Sequence, residues 1–99
     1  MSPLKKYSKQ ITELCLRYKV KTLYAFGSVL TDNFTHKSDI DLIVDFQQLE
    51  LLYYADNYFD LKFSLEKILN RSVDLLEEKA VKNPYFKEAL NEQKQLIYG

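Results

Sequence analysis

A chain of 99 residues with 46% hydrophobic and 14% aromatic side chains, two glycines and two prolines has the make-up of one folded domain, which excludes a disordered or fibrous chain. Its 14 basic and 14 acidic residues cancel, so the total charge argues for neither a nucleic-acid nor a membrane surface. Cys15 is alone and cannot form an internal disulfide, no apolar run approaches the roughly 20 residues that span a bilayer, and Met1-Ser2-Pro3-Leu4-Lys5-Lys6 is no secretory signal, so a cytoplasmic location is expected.

Leu4, Tyr7, Ile11, Leu14 and Tyr18 recur at spacings of three and four and predict a first helix, which Pro3 can open. That segment is basic, with Lys5, Lys6, Lys9, Arg17, Lys19 and Lys21 against Glu13, as suits a solvated face. Thr22-Leu23-Tyr24-Ala25-Phe26 reads as a buried strand stopped by Gly27, and Ser28 suits the N-cap of a short helical turn. Residues 32–38 are rich in turn formers and predict a surface loop. From Asp39 to Phe46 the pattern alternates: Ile40, Leu42, Val44 and Phe46 fall on one face of a second strand, Asp39, Asp41, Ile43 and Asp45 on the other. A long helix is expected between Glu50 and Asn70, with Leu52, Ala55, Phe59 and Phe63 inward. Ser72-Val73-Asp74-Leu75-Leu76 predicts a third strand. A last helix should begin at Asn83-Pro84 and pack Phe86, Leu90 and Ile97 inward. Nothing divides the chain, so residues 1–99 are read as a single α/β (α+β) domain: a small mixed sheet of about three strands packed against helices.

Three carboxylates carry the chemistry. Asp39 and Asp41, two apart on one strand, project to the same side with Cα atoms roughly 6.5 Å apart, near enough to share a cation. Like charges that close need a divalent ion, a basic partner or full solvation, and an exposed strand edge meets the last condition. Oxygen ligands alone favour magnesium or manganese over zinc. Asp74 either completes a cluster from the neighbouring strand or stands exposed on its own. Gly27-Ser28 after a strand can offer backbone amides and a hydroxyl to phosphate, or it is a plain turn.

Taken together, a strand, Gly27-Ser28, a spacer, Ser38-Asp39-Ile40-Asp41-Leu42, a long helix and Val73-Asp74-Leu75 resemble the minimal nucleotidyltransferases of the DNA polymerase β superfamily, along nearly the whole chain. The ending, Asn83-Pro84-Tyr85 through Leu96-Ile97-Tyr98-Gly99, looks like the tail of those small domains. The resemblance implies that Asp39, Asp41 and Asp74 bind Mg2+ (or Mn2+), that Asp74 helps deprotonate the acceptor hydroxyl, and that Gly27, Ser28 and Ser38 belong to the nucleotide-binding segment. It implies ATP as substrate, AMP as the transferred group and pyrophosphate as product. One position departs from the family pattern: Thr31 stands where an arginine is expected, and Lys37 or Arg71 could compensate.

With 99 residues and no second domain read from the sequence, the acceptor is expected on a partner rather than in an enclosing pocket. In the resembled family that partner is often a HEPN-domain toxin, adenylylated on tyrosine by its minimal nucleotidyltransferase antitoxin. Nucleic acid is not expected as a direct partner. The alternative is a catalytically silent module that neutralises a toxin by occlusion, favoured by Thr31 as the three carboxylates favour the enzyme. A small-molecule transferase would normally need a longer chain. His36 reads as a surface residue, Cys15 as a small buried side chain, and Tyr53, Tyr54 and Tyr58 as core-capping or partner-contacting rings.

Overall fold

The buried residues of the central strands lie mainly on one face of the sheet, with a register shift between Val20 and Thr22 in the first strand and with Ile43 buried on the opposite face. In Val20–Phe26 (β1), Val20, Leu23 and Ala25 are buried; in Ile40–Phe46 (β2), Ile40, Leu42, Val44 and Phe46; in Val73–Glu77 (β3), Val73 and Leu75. All of these join one core cluster with Ile11 and Cys15 of Ser8–Arg17 (α1) and Leu61, Leu65 and Leu69 of Leu51–Leu69 (α2). Both helices therefore cover the same face. This computed structural model describes residues 4–30 and 38–99, with Ser28 and Leu30 described through their backbone alone. Pro3, Thr31, His36, Lys37 and the predicted 32–38 loop up to Lys37 lie outside the described residues.

β2 lies between β1, antiparallel to it, and β3, parallel to it, so α2 is the crossover that a parallel pair requires. The sheet has a fourth strand that the periodicity did not announce, in the order β3-β2-β1-β4. The last helix, Pro84–Gln93 (α3), stops short of Ile97; Lys94 is extended, and Gln95–Tyr98 (β4) pairs antiparallel with β1. The open edge of β1 offers unpaired N–H and C=O groups, and Leu96-Ile97-Tyr98 is a good strand former, so edge pairing outweighs another helical turn. Asn83 caps α3 as expected, its Oδ1 accepting from the amides of Tyr85 (2.9 Å) and Phe86 (3.1 Å). Leu90 packs inward, but Phe86 remains 45% exposed.

α2 corrects the second expectation. Its inward residues are Leu61, Leu65 and Leu69, with Tyr54 and Tyr58 at the margin, whereas Leu52, Ala55, Phe59 and Phe63 face out. Apolar residues occupy both sides of this helix, so their period alone does not choose between them. The choice follows from chemistry. Leu61 and Leu65 are fully buried, each contributing about 2 kcal/mol, while the tyrosines find partners: Tyr54 donates to Glu77 Oε2 at 2.7 Å and Tyr58 to the Leu75 carbonyl. Asn70, in the left-handed region at φ 53°, ends the helix.

Candidate active site

The face of the sheet opposite α1 and α2 carries the acidic residues. β1 ends at Phe26, which pairs with Asp41 on β2, and Asp41 pairs in turn with Asp74 on β3. Paired residues point to the same side, so Phe26, Asp41 and Asp74 form one row across three strands. Asp39 is exposed and immediately precedes β2. Ser38 precedes it, its carbonyl accepting from Arg71 Nη1 at 3.1 Å. This bond ties the approach to β2 to the junction between α2 and β3. The register thus places Asp41 and Asp74 side by side, with Asp39 at the strand entrance.

Electrostatics give the row its character. Burial holds the Asp41 carboxyl above the ordinary aspartate value, and the neighbouring Asp74 and then Asp39 carboxylates push it further the same way. Asp45, four residues along the same strand face, has Lys79 at 3.8 Å; no ion pair among the described residues reaches Asp41. Asp41 therefore sits among like charges that a cation would relieve, and its donors are the hard oxygens that divalent magnesium or manganese prefers. Among the described residues, no three acidic, histidine or cysteine side chains, Asp39, Asp41 and Asp74 included, come together as a group that could hold a metal ion.

Gly27 shapes the other wall. It follows β1 directly, has φ 75°, and opens a 3-10 turn over Gly27–Leu30 in which Ser28 is second. A Cβ on Gly27 would lie 2.6 Å from Asp41 Oδ2. The missing side chain is what lets the turn backbone come up against the carboxylate, and the positive φ favours glycine independently. The sequence also left unread a cation on this face of the sheet. Lys94, just beyond α3, lies 4.1 Å from the Tyr24 ring centroid and 3.6 Å from Glu78 Oε1. Tyr24 shares the Phe26 face of β1, so Lys94 stands on the acidic side of the sheet. No spacing links Lys94 to Tyr24; α3 brings it there. A concave region of about 180 Å³ at the far end of β2, lined by Asp45, Phe46, Tyr54, Glu77 and Lys79 among others, contains none of Asp39, Asp41 and Asp74.

A mixed sheet with carboxylates in register on the face opposite α1 and α2, beside a glycine turn that ends the neighbouring strand, is the arrangement of the nucleotidyltransferase fold. Residues 9–99 match the sequence model of the Polymerase beta, Nucleotidyltransferase family, and the chain belongs to that family. It is 38% identical over 95 residues to a protein of Methanocaldococcus jannaschii named as a protein adenylyltransferase, the match covering 96% of this chain and 89% of that one. A solved structure described as a minimal nucleotidyltransferase superimposes with a TM-score of 0.76 at 27% identity, over 93% of this chain and 90% of that one. The fold also matches, with a TM-score of 0.65 at 20% identity over 96% of this chain and 71% of that chain, a Shewanella oneidensis structure described as an AMPylated HEPN toxin in complex with its MNT antitoxin. Among the described residues no helix is long and apolar enough to cross a membrane.

Proposed function

We propose that this nucleotidyltransferase moves AMP from ATP onto a hydroxyl of a protein partner, and that the partner is a HEPN-domain toxin for which the chain is the antitoxin. The observation that carries the reading is the row of Asp41 and Asp74 in register beside a glycine whose missing Cβ leaves room for Asp41 Oδ2. The names of the relatives point to protein as acceptor, and the fold shared with an antitoxin of a HEPN toxin points to the partner's class.

Asp39, Asp41 and Asp74 fit a divalent cation by donor type and by their mutual repulsion without one. Bound there, magnesium or manganese would neutralise the triphosphate and polarise its α-phosphorus. The chain's own residues do the rest. The turn amides at Gly27 and Ser28, with the hydroxyl of Ser38, hold phosphate oxygens. Asp74, at the exposed end of the row, accepts the proton of the acceptor hydroxyl as its oxygen attacks the α-phosphorus in line. The new phosphorus–oxygen bond forms as the bond to the bridging oxygen breaks, and pyrophosphate leaves with that electron pair. Arg71, whose Nη1 donates to the carbonyl of Ser38, the residue before Asp39, is the described residue that would take over from the arginine replaced by Thr31.

The competing reading is a silent module that binds a toxin without modifying it, favoured by Thr31. Both are tested by incubating the chain with α-labelled ATP, magnesium and the purified HEPN-domain protein. Label on that protein, lost with Asp41→Asn, supports transfer. A complex that forms but takes no label supports occlusion, and label on a small hydroxylated compound without any protein would displace both.

A further inference from the structure

β3 is an edge strand, paired with β2 on one side and with no strand on the other. Such an edge leaves backbone N–H and C=O groups to be satisfied by something else. Ile40 donates its amide to the Ser72 carbonyl at 3.0 Å, so at Ser72 the backbone turns toward β2. Successive residues of a strand turn their backbone groups to opposite sides, and Val73 and Leu75 therefore face the outer edge. α2 meets both of them. The Glu66 carboxylate accepts from the Val73 amide at 2.9 Å, and the Tyr58 hydroxyl donates to the Leu75 carbonyl. Asp74 stands between these two residues, with its side chain on the opposite face of the sheet in register with Asp41.

Glu66 does more than meet one amide. Its backbone carbonyl accepts from the amides of Asn70 and Arg71, the latter at 3.3 Å, where α2 ends. Arg71 in turn gives its Nη1 to the Ser38 carbonyl, one residue before Asp39. A single residue thus anchors the turn that leads directly to Asp74 and, through Arg71, to the approach of Asp39.

We propose that Glu66 and Tyr58 are positioning residues for nucleotidyl transfer: from the far face of the sheet they clamp the backbone on either side of Asp74 and so hold its carboxylate beside Asp41. This role rests on the reading that Asp74 takes the proton of the acceptor hydroxyl. Two features set the clamp apart from ordinary helix packing. It grips backbone, so it fixes where the Asp74 Cα lies, and it is confined to the two residues that flank Asp74. The next contact of α2 along β3, Tyr54 donating to Glu77 Oε2 at 2.7 Å, joins two side chains and leaves the strand backbone ungripped. Burial holds the Tyr58 hydroxyl above the ordinary tyrosine value, and the Glu77 and then Asp74 carboxylates push it the same way, so Tyr58 remains a donor at neutral pH. A carboxylate on an amide makes a stronger hydrogen bond than a neutral pair does, and Glu66 should therefore carry the larger share.

Steady-state transfer of label from ATP, recorded well below each variant's melting temperature, tests the clamp. Glu66→Ala should lower kcat by about tenfold or more while KM for ATP stays within about twofold, because the turn amides at Gly27 and Ser28 are untouched. Glu66→Gln keeps an oxygen facing the Val73 amide and should recover most of that loss. Tyr58→Phe should lower kcat several-fold, whereas Tyr54→Phe, which removes a hydroxyl from the same helix, should transfer at the unaltered rate. Hydrogen exchange gives a readout independent of turnover: in Glu66→Ala the Ile40 amide should exchange about tenfold faster, while the amides shared by β1 and β2 keep their rates. An unchanged kcat in Glu66→Ala overturns the proposal, as does a Glu66→Gln no better than the alanine variant, a Tyr54→Phe as impaired as Tyr58→Phe, or an Ile40 amide that exchanges no faster. A chain that transfers nothing overturns the nucleotidyl-transfer reading and this role with it, whereas faster exchange at Ile40 with kcat unchanged overturns this role alone.

Discussion

Replacing Gly27 by alanine probes the site where fold and chemistry meet. Two costs arise. A side chain at φ 75° costs about 1–2 kcal/mol. The new Cβ would also stand 2.6 Å from Asp41 Oδ2, so the carboxylate must rotate off its preferred angle for a further 0.5–1.5 kcal/mol or so. The sum is about 2 kcal/mol, which in a domain of this size lowers the melting temperature by roughly 10 °C. Transfer should fall further than stability, by about a hundredfold, because a displacement of the order of 1 Å at a reacting centre costs that much. Thermal melting and initial rates of label transfer, both recorded well below the variant's melting temperature, separate the two effects. If Gly27→Ala melts lower but transfers AMP at the unaltered rate, the orientation of Asp41 against this turn plays no part in the reaction.

Asp41→Asn should end transfer yet raise the melting temperature at neutral pH. The folded-state pKa of Asp41 lies above its unfolded value, so ionisation costs stability as pH rises through the raised value; the advantage of the asparagine variant should vanish in acid. Cys15 is fully buried, with its thiol pushed up to about 12 by that burial, so a disulfide reagent should label it only after denaturation. Asn83→Ala removes the acceptor of two amides at the start of α3 and should cost about 1 kcal/mol by urea unfolding. Leu65→Ala, at a site with no exposure, should cost about 2–5 kcal/mol in the same assay, and a near-zero change would contradict the inward face assigned to α2.

The strands and the acidic spacing were legible because they depend on local pattern. Alternation on β2 sorts Ile40, Leu42 and Val44 from Asp41 and Asp45 without further information, and the structure keeps that sorting. Two features were not legible, each for a physical reason. α2 has leucines or phenylalanines on both sides, and only the sheet it meets decides that Leu61 goes in and Phe59 stays out. β4 exists because the open edge of β1 is there to pair with, a tertiary opportunity that leaves no trace in the period of Gln95–Tyr98. The candidate site divides the same way. Asp39 and Asp41 are neighbours by sequence, whereas the register that puts Asp74 beside Asp41 and the arrival of Lys94 over Tyr24 depend on the crossover and on α3.

That register also makes the site a clasp. Asp41 and Asp74 belong to strands joined only through α2, so a ligand gripping both ties the two ends of the crossover together without a covalent bond. A chain whose third strand has not docked offers half a grip, and occupancy at a hundred times the dissociation constant would add about 2.7 kcal/mol to the docked form alone. Ligand affinity thus doubles as a proofreader of assembly: a molecule stalled with β3 adrift is not a careless enzyme but an inert one.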